Sequence, residues 1–185
     1  TELADILSTI DEQTAMDSET LKTRFWDMFI VDALIGNWDR HNGNWGFLYN
    51  NATDEVTLAP VFDCGSSLYP QADEDLMKKI LSDKNELNHR IFDIPLSAVT
   101  YNGKKINYFK FLSEGEFPDC NKALKRIASR IDMKKIYEII DNTPTITELQ
   151  KEFYKTMLTA RKERIIDFSL NKLKEKSKKH DDMQR

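Results

Sequence analysis

Three oxygen-bearing side chains stand at a spacing that suits phosphoryl transfer. Asp39 and Asn44 are five positions apart in a polar stretch, and Asp63 follows after two short apolar runs that predict a β-hairpin. That ribbon would return Asp63 to the end where the first two residues lie. Transfer of the terminal phosphoryl group of ATP needs oxygen ligands for Mg²⁺ and a group that accepts or orients the proton of the attacking hydroxyl.

The spacing suggests a different role for each residue. Asn44 and Asp63 carry the atoms that Mg²⁺ prefers, so we predict that both bind the metal and, through it, the nucleotide. Asp39 is the first catalytic candidate, because Asp-x-x-x-x-Asn is the separation found in protein-kinase catalytic loops, and residues 63–65 retain Asp-x-Gly. His41 is the second catalytic candidate. It either donates a hydrogen bond to a phosphate oxygen or buttresses the loop, and the sequence leaves both interpretations open.

The same residues also have plainer interpretations. The three oxygen-bearing side chains would, as the alternative, simply cap turns, which Asp and Asn often do. We expect Arg40 to form a surface ion pair, and the alternative is that it reaches a carboxylate or a phosphate. We expect the tryptophans on either side of the loop, Trp38 and Trp45, to pack against it.

Helical periodicity before the loop indicates how the candidate site is held. Apolar residues at helical spacing predict a short helix over residues 3–10. A second helix is predicted to begin at Asp17 or Ser18 and to stop at Gly36. Because it is apolar on more than one face, we expect it to be a central core helix that leads directly into the loop.

The remaining pattern is mainly helical, with a second small hairpin. The Asn102-Gly103 pair is a strong turn signal, and Thr145 with Glu148 predicts a capping box that opens the last helix. Strands are predicted at 45–49 and 56–58, a hairpin between Val99 and Ile106, and helices at 73–81, 121–131, 132–140 and from Thr145 onward. The predicted parts of this single domain, 1–185, are a key loop and metal hairpin at 37–68, a helical subdomain at 118–178 and a frayed tail at 179–185.

Composition describes a globular protein and excludes several classes. The 185 residues are 40% hydrophobic and 31% charged, and the net charge of −4 gives no positive surface for wrapping nucleic acid. Two distant cysteines indicate neither a disulfide framework nor a structural zinc site, and no apolar run is long enough to span a bilayer. We therefore expect a cytoplasmic protein with no membrane partner and no direct nucleic-acid partner.

Two motifs resemble the C-terminal lobe of the HipA-like serine/threonine kinases of bacteria. They are Trp38-Asp39-Arg40-His41-x-x-Asn44-Trp45-Gly46 and Leu58-Ala59-Pro60-x-Phe62-Asp63-x-Gly65-x-Ser67-Leu68. The predicted helical organisation after them is similar as well. The resemblance therefore covers most of the chain.

The resemblance implies a mainly α fold, the helical C-terminal (large) lobe of a protein-kinase-like fold with one or two small β-hairpins. It implies ATP and Mg²⁺ as cofactors, Asp39 as the catalytic Asp, and Asn44 and Asp63 as metal ligands. It also implies a protein substrate and, since some members are toxins of toxin–antitoxin modules, an antitoxin or regulatory partner. Lipid kinases place Asp-Arg-His-x-x-Asn in the same loop, so a lipid or small-molecule kinase is an alternative, as is a degenerate lobe that only binds protein.

The chain departs from a whole kinase in one respect. It contains no Gly-rich phosphate loop and no Val-Ala-x-Lys strand pattern, which in protein kinases cover ATP and pair its phosphates. We therefore expect the ATP-covering N-lobe to be absent from these residues. Alone, the chain is expected to bind nucleotide weakly and to be inactive.

Overall fold

The computed structural model describes the backbone of residues 1–183 and the side chains of residues 1–179. The chain is mainly helical, with two small antiparallel sheets. A 3₁₀ turn spans Asn42–Asn44, and a π-helical segment, Lys162–Asp167, joins the last two helices. The elements are α1 (Leu3–Glu12), α2 (Ser18–Ile35), β1 (Phe47–Asn50), β2 (Glu55–Leu58), α3 (Glu74–Ser82), α4 (Lys84–Phe92), β3 (Leu96–Tyr101), β4 (Lys104–Asn107), α5 (Tyr108–Glu114), α6 (Pro118–Ala128), α7 (Met133–Asp141), α8 (Glu148–Arg161) and α9 (Phe168–Met183).

Helix α2 lies in the centre of the core, as its apolar composition predicts. The Asp17 carboxylate accepts a hydrogen bond from a backbone N–H of the first turn at 2.8 Å, and the helix ends at Gly36, whose φ of 68° is left-handed. Trp26 and Phe29 pack against Phe111 of α5, with ring centroids 6.1 and 5.3 Å apart. Because α2 is fixed at both ends and on its faces, the residue at which the loop begins is fixed too.

Both predicted hairpins are present, and they differ in what covers them. In the first, Phe47 pairs with Leu58, and all four residues of β1 are exposed. The second turns at Asn102 and Gly103, which both have positive φ, as the Asn-Gly signal predicts. The Glu2 carboxylate accepts hydrogen bonds from the N–H groups of these two turn residues at 2.8 and 3.2 Å. The second hairpin is therefore tied to the start of α1.

Three details differ from the sequence predictions. Helices α4 and α5 lie where the sequence pattern predicts no element. The capping box is formed by Thr147 and Gln150, so its assignment to Thr145 and Glu148 is wrong. Helix α9 runs to Met183, and the last two residues of the predicted frayed tail lie outside the described residues.

None of the helices within residues 1–183 combines the length and the hydropathy needed to cross a lipid bilayer.

Candidate active site

The loop between α2 and β1 is anchored at its first residue. Asn37 is completely buried; its Nδ2 donates to Asp32 Oδ1 at 2.9 Å, and its Oδ1 accepts from the Asp39 N–H at 3.1 Å. The hydroxyl of Tyr108, on α5, donates to the Asn37 carbonyl at 2.6 Å. Two helices thus fix the backbone immediately before Asp39.

The Asn44 side chain is oriented by the same loop. Asn44 is only 4% exposed, and its Nδ2 donates to the Asp39 carbonyl at 2.8 Å. The amide nitrogen is thereby used inside the loop, which leaves Oδ1 as the atom with free lone pairs. Within the described residues neither this oxygen nor the half-buried Asp39 carboxylate accepts a hydrogen bond from a side chain or backbone donor.

His41 supports the 3₁₀ turn from outside. Its Nδ1 accepts a hydrogen bond from the Gly43 N–H at 3.0 Å, so the neutral ring carries its proton on Nε2. A Cβ on residue 43 would lie 3.0 Å from His41 Cε1, which is tighter than most real contacts, so the imidazole would have to shift by a few tenths of an ångström to admit a side chain. The hydrogen bond from Gly43 supports the interpretation that His41 buttresses the loop. The exposed Nε2–H remains available as a donor.

Arg40 is the centre of the loop and not the surface ion pair predicted for it. It is 5% exposed, and its Nε and Nη2 bind the two oxygens of Asp32 at 3.0 and 3.1 Å. Its Nη1 donates to the carbonyls of Asn44 at 2.8 Å and Phe62 at 2.6 Å, and Nη2 also lies 3.3 Å from the Cys64 sulfur. The prediction of a surface ion pair failed because the partner carboxylate, Asp32, lies on the preceding helix and not in the loop.

These contacts join the two halves of the candidate site. One nitrogen of Arg40 binds a carbonyl from the loop and a carbonyl from the residue just before Asp63. The segments that carry Asn44 and Asp63 therefore meet at one guanidinium, as the hairpin argument predicts. Asp63 itself is exposed and has a φ of 53°, an uncommon conformation for a residue with a side chain.

The buried ion pair is charged at neutral pH. Burial raises the pKa of the Asp32 carboxyl, although hydrogen bonds from Arg40 and Asn37 act in the opposite direction. Burial would also lower the pKa of Arg40, but the facing Asp32 carboxylate outweighs it and the net pKa lies above the ordinary value. Because donors occupy both carboxylate oxygens, the ionised form is retained.

The donor set fits a metal that is shared with a nucleotide. No group of three His, Cys, Asp or Glu side chains in the described part of the chain could enclose a metal ion. Asn44 Oδ1 and the exposed Asp63 carboxylate offer two oxygen ligands on joined segments. Mg²⁺ is commonly held in this way, by one or two protein oxygens together with phosphate oxygens and water.

Comparison with known proteins identifies the family. A model of the HipA-like C-terminal domain matches residues 1–148, which include the loop, the first hairpin and Asp63. The chain belongs to the HipA-like C-terminal domain family. The predicted resemblance is therefore confirmed by a match over most of the chain.

A curated protein and a crystal structure, both named as the kinase CtkA, support the same assignment of this HipA-like domain. The chain is 51% identical over 181 residues to the serine/threonine-protein kinase CtkA of Helicobacter pylori strain J99, covering 97% of this chain and 56% of CtkA. It also resembles the crystal structure of a Helicobacter pylori proinflammatory kinase CtkA, with a TM-score of 0.93 and 51% identity, covering 96% of this chain and 65% of that one. The predicted mainly α kinase-lobe fold is confirmed. The chain spans little more than half the length of the curated relative it matches.

The sequence predicts that the loop residues lie beside one another, but it did not lead us to the ion pair of Asp32 and Arg40 that holds them. Asp32 is the one charged residue in the apolar stretch 28–35, and that isolation was a usable signal. A carboxylate in the most buried part of a core helix requires a cation, because an unpaired buried charge is very costly. Arg40, eight positions later, is the residue that meets this need.

Proposed function

We propose that this chain is the catalytic C-terminal lobe of an ATP- and Mg²⁺-dependent serine/threonine kinase that phosphorylates a protein hydroxyl. The observation that carries the proposal is the joint at Arg40, which holds the Asn44 segment against the Asp63 segment. The identity with CtkA, which is named a serine/threonine-protein kinase, supports it. A capped turn with no function would not need a buried ion pair to hold it to a second polar segment.

The proposed roles follow from what each side chain leaves free. Asp39 would orient the substrate hydroxyl and accept its proton, since its carboxylate is not used to hold the loop. Asn44 Oδ1 and the Asp63 carboxylate would bind Mg²⁺, and the bound nucleotide would supply the phosphoryl group. His41 would donate from Nε2 to a phosphate oxygen while its Nδ1 keeps the turn closed.

We also propose that the parts that cover ATP come from outside these 185 residues. The sequence has no Gly-rich phosphate loop, and the match extends over 56% of CtkA. Activity is therefore expected of the full-length protein and not of this lobe alone. A toxin role, an antitoxin partner and a cytoplasmic location stay predictions from the family resemblance.

The test uses the full-length protein with Asp39→Ala, Asp63→Ala and, as a matched control, Glu175→Ala on α9. Both site variants should lose phosphate transfer by at least about a thousandfold, because positioning and electrostatic stabilisation supply nearly all of the catalysis in this reaction. Asp39→Ala should still bind nucleotide, whereas Asp63→Ala should lose the Mg²⁺-dependent part of that binding. Transfer is measured as labelled phosphate on protein, with phosphoamino-acid analysis.

Two results would contradict the proposal. Unchanged turnover in Asp63→Ala would remove the metal assignment, and lost folding or lost nucleotide binding in Asp39→Ala would show a structural role for that residue. Labelled phosphate found on lipid or on a small molecule, with none on Ser or Thr, would favour the alternative acceptors.

A further inference from the structure

The part of the chain that builds the candidate site is far more acidic than the rest. Residues 1–77 hold 15 Asp and Glu against 3 Lys and Arg, a formal charge of −12. Residues 78–185 hold 16 against 24, a formal charge of +8, and the two parts together give the net −4. No Lys, Arg or His occurs between residues 42 and 77. The chemistry proposed above uses only two of these acids, Asp39 and Asp63.

The three basic residues of this acidic part are already occupied. Lys22 pairs with Asp11 at 2.6 Å, Arg24 donates to a backbone carbonyl at 2.7 Å, and Arg40 is buried against its own carboxylate. Exposed acids of residues 1–77 that have no ion-pair partner within the described residues are Asp5, Glu12, Asp17, Asp54, Glu55, Asp63, Asp73 and Asp75. The surface of residues 1–77 therefore carries negative charge that the basic residues of this part do not neutralise.

An apolar groove lies next to the loop on this acidic surface. It has a volume of 290 Å³ and runs between α1, α2 and the end of the loop. Its apolar walls are Ile6, Ile10, Leu21, Trp45 and Phe47. A Cβ on Gly46 would meet nothing within 4 Å, so the groove is open on the side of the loop.

The rim of the groove combines apolar surface with negative charge. Thr9 of α1 lines the groove, and Asp5 and Glu12 stand four residues before and three residues after it. Residues at these spacings lie on the same face of a helix. The groove thus has an apolar floor, and Asp5 and Glu12 lie on the face of α1 that carries Thr9.

We propose that this groove binds a large apolar side chain of a basic segment of the protein substrate. The proposal rests on the proposed kinase function. The groove shares residues 42 and 46 with the loop that holds Asp39 and Asn44, so an occupant lies against that loop. The negative surface attracts Lys and Arg on either side of that residue and repels a phospholipid headgroup, which favours a basic peptide over a lipid.

The groove is tested with Thr9→Trp, which fills it from the α1 side, in the full-length protein. Ala4→Trp, on an exposed position of the same helix outside the groove, is the matched control. The probes are short serine peptides that contain Leu and several Arg, arranged in every order around the serine. Matched control peptides carry Ala in place of Leu or Glu in place of Arg. Binding of fluorescein-labelled peptides is measured by anisotropy without nucleotide, and KM and kcat are measured in the transfer assay.

We expect Thr9→Trp to weaken binding of the best Leu-containing peptide by about tenfold, because burial of one large aliphatic side chain contributes about this much. Its KM should rise equally, with kcat and the KM for ATP unchanged, and the Ala-for-Leu peptide should show no difference between variants. Ala4→Trp should behave as wild type.

The charge is tested separately with Asp5→Lys combined with Glu12→Lys. Peptide affinity should fall severalfold at low salt and less at high salt, because exposed charges are screened. Glu175→Lys, the same charge change in the basic part of the chain, should have no effect.

Two outcomes would overturn the proposal while leaving the kinase function intact. One is normal phosphate transfer with no peptide preference for Leu and Arg. The other is a Thr9→Trp variant, folded by its melting temperature, that binds every peptide as wild type does. Loss of all phosphate transfer in wild type would instead refute the kinase function, and the anisotropy measurement would still decide on the groove.

Discussion

Two buried arginines bind the same turn of α2, and they do so in different ways. Arg40 meets the Asp32 carboxylate with two nitrogens, so its charge is neutralised where it lies. Arg161, the last residue of α8, is 1% exposed and donates to the carbonyls of Ala33 at 2.9 Å and Arg90 at 3.2 Å. Its Nη2 has no partner within the described residues, and burial lowers its pKa below the ordinary value.

The two arginines therefore have different roles. Arg40 pairs with one particular charged side chain, whereas Arg161 binds backbone at the end of a helix. Ala33 lies in the last turn of α2, where a cation interacts favourably with the unpaired carbonyls and with the helix dipole. Any sequence in that turn would offer Arg161 the same backbone carbonyl at position 33. Arg40, by contrast, depends on one particular side chain, and it reaches across to both segments of the candidate site. We therefore expect the two residues to affect stability and phosphate transfer in different proportions.

The largest effect is predicted for Arg40→Met. Removing the cation leaves Asp32 charged and buried, which should lower the free energy of unfolding by about 3–5 kcal/mol. Phosphate transfer should fall by orders of magnitude even under conditions where the variant is folded. Chemical denaturation and the transfer assay on the full-length protein measure the two effects.

The double variant Asp32→Leu with Arg40→Met is the control for this prediction. It removes the unpaired charge, so most of the lost stability should return while transfer stays low. Recovery of transfer together with stability would show that Arg40 contributes only to folding.

A smaller effect is predicted for Arg161→Met. The change removes two hydrogen bonds to carbonyls but leaves no opposite charge unpaired, so we expect a loss of about 1–3 kcal/mol. Transfer per folded molecule should stay within a few fold of wild type. A loss of transfer comparable to that of Arg40→Met would erase the distinction between the two arginines.

The smallest effect is predicted for Tyr108→Phe, which removes the hydrogen bond from the Tyr108 hydroxyl to the Asn37 carbonyl. We expect a loss of about 1 kcal/mol near neutral pH and a modest decrease in transfer. Burial raises the pKa of Tyr108, so the folded state favours its protonated form, and that contribution is lost as pH rises above the ordinary value of 10. The stability difference between wild type and Tyr108→Phe should therefore shrink above that pH, and a constant difference would contradict the assignment.

Local signals predicted much of the scaffold around the candidate site. The Asp17 cap, the Gly36 stop and the Asn102-Gly103 turn each depend on a few adjacent residues, and all three are present as predicted. The capping box failed for a local reason as well, since Thr145 with Glu148 and Thr147 with Gln150 both match the pattern and only tertiary packing selects the second.

The contacts of Arg40 with Asp32 and with both segments of the candidate site could not be predicted from such local signals. Whether Arg40 faces solvent or the interior depends on the path of the loop past the end of α2, which no short window of sequence contains. Helix α5 was missed because its seven residues are too few to show a helical period, although its Tyr108 supports the loop.

The backbone after the first hairpin stores conformational energy. Asp63, Leu68 and Tyr69 all have φ between 53° and 57°, a region in which a side chain costs about 1 kcal/mol or more per residue. Glycine at position 63 would relieve part of this strain, so the chain keeps a carboxylate at a place where folding alone would favour its removal. With the metal role proposed for Asp63, stability and activity make opposite demands on this residue, and Asp63→Gly is expected to melt at a higher temperature than Asp63→Ala while transferring no more phosphate.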